Sequence, residues 1–230
     1  MRKDPQDLRG KWSDVFRSLL IIIVLYMGVR WALWEPFVIP SGSMESTLLV
    51  QDYVLVKKWA YGLRLPFTET WVYGPHTPVR GDIVVFKAKD ESGHFLVKRV
   101  IGLPGETLTI DKQGHIHING KSFRYKGSSS PDEDHFILTE DNGVKSYQVQ
   151  FLQGVDQKAE EIYVPEGHLF MMGDNRNQSA DSRYWGALPL ERIVGKLDLI
   201  WMSCRESEKH SSFLCAPADF RTERLFRLVQ

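Results

Sequence analysis

The stretch SLLIIIVLYMGVRWALW at 18–34 is broken by a single charge, Arg30. A helix needs about 20 predominantly apolar residues to cross a bilayer, and this run with its flanks just reaches that length. Such a segment constrains everything after it, because the remaining chain becomes a domain tethered on one side of a membrane and held close to it. Arg30, one turn from the far end, can lift its charge to the interface along its own stem, and Trp31 and Trp34 are rings favoured at that depth. Arg2, Lys3, Arg9, Lys11 and Arg17 crowd the near side, and no Lys or Arg follows Arg30 until Lys57. The positive-inside rule puts the N-terminus in the cytoplasm and everything after about Trp34 outside. A cleaved leader would end in a small-residue site, whereas this run ends in Trp-Glu-Pro-Phe, so the expectation is an uncleaved anchor at 18–35 behind a cytoplasmic segment, 1–17.

Beyond the anchor the pattern is that of a mostly β, exported catalytic domain at 36–203. YVLVKKW (53–59), DIVVFKA (82–88), HFLVKRVIG (94–102), ETLTI (106–110), HIHI (115–118), VKSYQVQFL (144–152), EIYV (161–164), HLFMMG (168–173) and VGKLDLIWM (194–202) are rich in β-branched and aromatic residues, with turn formers between them. No helix-length amphipathic segments separate these runs, which favours a coiled barrel or sandwich over βαβ units. The aromatic, Pro/Gly-rich stretch 58–81 reads as a loop, packed on the core or facing the membrane through Trp59, Trp71 and Tyr73. The stretch 126–136 reads as a solvated excursion within a surface insertion at about 121–160. Lys plus Arg equal Asp plus Glu at 29 each, so no basic field points to nucleic acid. Cys204 and Cys215, in a tail at 204–230 of no assigned role, suit a small disulfide loop or two unrelated thiols.

Three places hold residues suited to chemistry. In IPSGSMEST, Ser41 and Ser43 sit at the mouth of the anchor; a serine attacks a carbonyl only when another group takes its proton, and nothing local chooses between the two. None of the seven histidines has a catalytic setting, and His115 and His117, alternating on one strand face, lack an evident third ligand for zinc. Lysine becomes a base when burial disfavours its ammonium form. In HFLVKRVIG, Lys98 and Arg99 interrupt an apolar strand, so one points to the core face and the other away, and the inward one must be neutral or paired. The third place, MMGDNRNQSADSRYWGALP at 171–189, is dense in hydrogen-bonding groups and reads either as a charge-assisted network fixing a loop or as an exposed polar hairpin.

Taken together, IPSGSMESTLLVQDYVLVKKWAYG, RGDIVVF, VKRVIGLPGE and GDNRNQSADSRYWGALP, in that order, resemble the bacterial type I signal peptidases, membrane-bound serine proteases that remove signal peptides from exported proteins. The resemblance runs from the end of the anchor to about Trp201. It implies a Ser-Lys dyad of Ser43 as nucleophile and Lys98 as general base, with the Ser43 N–H and the Ser41 hydroxyl as oxyanion donors. It further implies that Ser179 orients the lysine and that Asp181 and Arg183 form a supporting ion pair. It implies no metal and no organic cofactor. The expected partners are signal peptides of preproteins, cut after small residues, and the lipid bilayer of the bacterial inner membrane, with the catalytic domain on the extracytoplasmic side. Two departures stand out: Ser46 occupies the place where the family usually has proline, and Asn177 replaces a common acid. A peptidase dedicated to one exported substrate, or an inactive tethered β module, are the alternatives.

Overall fold

The N-terminal apolar segment folds as one helix, Pro5–Ala32, in the computed structural model, which describes residues 5–65, 68, 70–88, 93–130, 132–205 and 219–229. Its 28 residues make it about 42 Å long. Leu19, Leu20, Ile22, Val24 and Leu25 are exposed, and none joins a core cluster. Among the described residues no helix is long and apolar enough to cross a membrane. The uncharged run 18–29 falls short of the roughly 20 residues a span requires, and Asp14 and Arg17 lie within the same helix. Arg2, Lys3 and Cys215 lie outside the described residues, as do the side chains of Arg9, Lys11, Arg30 and Trp31.

The helix also stops short of the expected boundary at 35. Trp34 opens a strand, Trp34–Val38, which pairs antiparallel with Asp52–Lys57, Trp34 opposite Lys57 and Val38 opposite Tyr53. The N-terminal helix therefore feeds almost directly into the sheet. Among the described residues that sheet has eight strands, ordered Trp34–Val38, Asp52–Lys57, Ile193–Ser203, Ile83–Lys87, Phe95–Gly102, His168–Met172 and Leu188–Pro189, with Arg227–Leu228 pairing beside Ile193–Ser203. Arg124–Ser129, His135–Asp141 and Ser146–Leu152 form a second sheet, and Glu160–Tyr163, Thr107–Ile110, Ile116–Ile118 and Lys121–Ser122 a third. Leu63–Arg64 and Trp71–Tyr73 make a short hairpin inside the stretch expected as a loop. Each strand expected from the sequence is present, its ends shifted by two residues at most.

The burial pattern follows from strand geometry, in which successive side chains face opposite ways. Ile83 and Val85 enter a cluster with Ile39, Met44, Leu48, Val54, Val56, Leu197 and Ile200, while Val84 and Phe86 enter another with Val100, Leu169, Met171 and Ile193. A strand covered on both faces reads as a continuous apolar run, as IVVF does. A third cluster, around Ile101, Leu108, Ile110, Val149, Phe151 and Phe170, takes Tyr147, Val149 and Phe151 from within 121–160, so this stretch contributes core as well as surface. Cys204, at the end of the longest strand, is disulfide-bonded.

Candidate active site

Ser43 lies in the connection between the first two strands of the large sheet. Ile39 N donates to Asp52 O and Gln51 N to Ile39 O, each at 2.9 Å, which closes the neck of this loop. Inside it, Gly42–Met44 forms a single 3₁₀ turn, with Glu45 N donating to Gly42 O at 3.0 Å and Leu48 N to Met44 O at 2.8 Å. Met44 and Leu48 are buried in the cluster below, so the apolar members of SGSMESTL anchor the turn while Ser43 stays half-buried and Ser41 exposed. Ser41 occupies the N-cap position without making a side-chain cap bond, which leaves its hydroxyl uncommitted to the turn.

Lys98 reaches this turn from the strand Phe95–Gly102. Its Nζ donates to Ser43 Oγ at 2.6 Å and to Val97 O at 3.1 Å. The side chain is 3% exposed, and among the described residues it forms no salt bridge. Burial pushes the Lys98 ammonium down to about 8; Asp181 and Asp174 pull it back up, and Arg183 adds to the lowering.

Arg99, its neighbour, is 0% exposed, so the cation facing away from Lys98 also points into protein rather than into solvent. It is paired: Nε donates to Asp174 Oδ1 at 2.8 Å and Nη2 to Asp174 Oδ2 at 2.7 Å, while Nη1 donates to Gly81 O at 2.7 Å. The guanidinium lies 3.7 Å from the Tyr147 ring centroid. The two adjacent cations thus meet burial differently, Arg99 being paired with a carboxylate and Lys98 having its pKa lowered so that it gives up its proton more readily.

The polar stretch after His168–Met172 folds back on the serine loop as a fixed network. Asn175 N donates to Ser43 O and Asn175 Nδ2 to Gly42 O, each at 3.2 Å. Gly173 N donates to Asp181 Oδ2 at 3.0 Å, and Asp181 caps the short helix Ser182–Trp185. Arg183 holds Asp181 with two bonds of 2.8 Å, so the expected ion pair is formed; it also donates to Arg176 O at 2.6 Å. Arg176 in turn meets the buried Glu140 at 2.8 Å, which also accepts from Tyr147 and Tyr125. Asn177 Oδ1 accepts from Leu152 N at 3.0 Å, a bond that an aspartate would make equally well.

Ser179 departs from expectation. Its Oγ is buried with no hydrogen-bond partner among the described residues, so the bond to Lys98 is not made in this structure. It nevertheless belongs to the site: a Cβ on Gly173 would fall 2.3 Å from Ser179 Oγ and 2.4 Å from Ser43 O. Only glycine at 173 leaves room for both serines. His115 and His117 are elsewhere, on the Thr107–Ile110/Ile116–Ile118 hairpin, each 3.5 Å from Asp111 Oδ2.

A profile of the family described as signal peptidase, peptidase S26 matches residues 12–202. The chain belongs to that family. A signal peptidase I of Pseudomonas aeruginosa is 38% identical over 216 residues, covering 83% of this chain and 71% of the relative. One of Haemophilus influenzae is 32% identical over 272 residues, covering 95% and 76%. A crystal structure of a signal peptidase I from Enterococcus faecalis V583 is 31% identical and covers 52% of this chain and 96% of its own, with a TM-score of 0.35. The S26 match ends before the segment 219–229, which packs against the serine loop through Arg221 and Arg224. Sequence reading gave no role to those two arginines or to Gly173, and it placed Asp174 and Asn175 in the polar stretch 171–189 without assigning them partners. For Asp174 a signal existed, because a buried Arg99 demands a carboxylate and GDNR supplies one beside an apolar strand.

Proposed function

We propose that this protein is a signal peptidase I, a membrane-associated serine endopeptidase that removes N-terminal signal peptides from exported preproteins after small residues. The 2.6 Å contact between Lys98 Nζ and Ser43 Oγ carries the assignment of roles, because it joins a nucleophile to a base whose pKa burial has brought near neutrality. Neutral Lys98 takes the proton of Ser43 as Oγ attacks the carbonyl at the cleavage site. The Ser43 N–H and the free Ser41 hydroxyl donate to the oxyanion, and the protonated lysine returns its proton to the leaving amine. A water activated by the same lysine then hydrolyses the acyl-enzyme and frees Ser43. Ser179, beside Gly173, and the Asp181–Arg183 pair hold the surroundings of the lysine. Neither a peptidase dedicated to one substrate nor an inactive module is favoured over this reading.

The helix Pro5–Ala32 serves as the anchor, with 1–17 cytoplasmic, the domain at 36–203 on the extracytoplasmic side and the bacterial inner membrane as the location. The exposed apolar side chains from Leu19 to Met27 support this reading, since a helical stretch apolar on every side is at home in lipid. The direct passage from helix to sheet keeps Ser43 close to the bilayer surface, where the cleavage site of a signal peptide emerges. The test is cleavage of a purified preprotein by the chain in detergent. Wild type should release the mature protein, whereas Ser43→Ala and Lys98→Ala, folded as judged by circular dichroism, should not. Cleavage surviving Ser43→Ala would sink the assignment.

A further inference from the structure

The segment 219–229 makes three kinds of contact with the loop that carries Ser43. Arg224, buried, donates through Nε to Asp52 Oδ1 at 3.1 Å and through Nη2 to Asp52 Oδ2 at 2.5 Å, and its Nη2 also reaches Thr47 O at 2.9 Å. Arg221 Nη1 donates to Val50 O at 3.0 Å and to Ser203 Oγ at 3.2 Å. Behind them, Arg227–Leu228 pairs with Leu199 and Ile200, and Val229 N donates to Asp198 O at 3.0 Å, so the arginines project from a segment that is itself fixed to the sheet.

The loop needs such fixing. Ser46 has φ +82° and Gln51 φ +66°, left-handed conformations that non-glycine residues hold only where the surroundings over-determine them. Proline, with φ locked near −65°, would hold a loop here by itself, but it is incompatible with the conformation that Ser46 adopts. Asp52, which receives Arg224, also accepts from Leu49 N at 2.9 Å, and Thr47, whose carbonyl Arg224 binds, donates its hydroxyl to Asp174 Oδ2 at 2.6 Å. Asp174 holds Arg99, the residue next to Lys98, and precedes Asn175, which binds Ser43 O. Arg224 thus ties the far end of the serine loop to the same carboxylate that organises the lysine strand.

We propose that Arg224, assisted by Arg221, is a positioning residue for the reaction, clamping the loop 41–52 so that Ser43 Oγ stays within reach of Lys98. The proposal rests on the reading of Ser43 as nucleophile. Misplacement of a reacting group by about 1 Å can cost on the order of 100-fold in rate, so Arg224→Met should lower kcat by about 10- to 100-fold. The KM for a signal-peptide substrate should change little, because the clamp lies under the loop and not on a substrate surface. The pH profile should keep its wild-type midpoint, since Arg224 does not touch Lys98. Arg224→Lys, which keeps the charge but not the fork, should recover part of the loss.

The experiment is steady-state kinetics of full-length wild type, Arg224→Met, Arg224→Lys and Arg221→Ala, with Ser43→Ala alongside and thermal unfolding as the folding control. A fall in kcat at constant KM and constant pH midpoint, partly restored in Arg224→Lys, supports the clamp. Unchanged kcat in folded Arg224→Met overturns it, and should that variant not fold, unchanged kcat in Arg221→Ala overturns it equally. Cleavage by Ser43→Ala would overturn the nucleophile assignment instead, so the two failures are distinguishable.

Discussion

Replacing Lys98 with methionine should make the protein more stable at neutral pH, although the substitution removes the proposed base. Folding lowers the Lys98 pKa from the ordinary 10.5 to about 8, which at pH 7 costs the folded state about 3 kcal/mol. Between those two values the unfolded chain still binds a proton that the folded protein has released, so stability rises with pH across that window. The penalty is complete below about pH 8 and gone by about pH 10.5. Methionine fills a similar volume without a charge but forgoes the hydrogen bonds to Ser43 Oγ and Val97 O, each worth about 1 kcal/mol. The expected net gain is about 1 kcal/mol at pH 7, reversing to a loss of about 2 kcal/mol near pH 10.5. Urea unfolding of wild type and Lys98→Met at the two pH values measures this directly. A variant that is no more stable at pH 7 than at pH 10.5, relative to wild type, would refute the idea that Lys98 is held against its own charge.

Two further substitutions test the packing around the serine loop. Gly173→Ala places a methyl group against Ser179 Oγ and Ser43 O, so it should cost about 1 to 3 kcal/mol in thermal or urea unfolding and remove most of the activity. Ser46→Pro, which installs the residue usual in the family, should destabilise by more than about 1 kcal/mol, because φ +82° is closed to proline and the bond from Ser46 Oγ to Gln148 O is lost. A stabilised Ser46→Pro variant would show that the loop adopts another conformation.

What the sequence made legible was whatever depended on local period. IVVF and FLVKRVIG declare themselves as strands because both faces are covered, and the lysine stands out against that background. Trp34–Val38 escaped notice for two reasons: it continues the apolar run without a break, and Pro36 argues against a strand unless the strand lies at an edge, where this one is. His135–Asp141 was hidden because its one fully buried polar residue, Glu140, makes sense only beside Arg176, far along the chain. The same holds at the site. Ser43 and Lys98 could be paired through family resemblance, but the Arg99–Asp174 and Asp52–Arg224 pairs connect residues 75 and 172 positions apart, and no local pattern encodes such closure. The bond expected from Ser179 to Lys98 is a geometric detail that residue identities alone do not determine.

The central claim is that a neutral Lys98 activates Ser43, and the pH dependence of kcat/KM for signal-peptide cleavage tests it most directly, since this parameter reports the free enzyme. With a pKa of about 8, roughly one lysine in a hundred is neutral at pH 6 and about half at pH 8. The account predicts a climb of about 50-fold between those pH values and a plateau above pH 9. A profile that is flat or falling between pH 6 and 9, with the fold intact by circular dichroism, would contradict it.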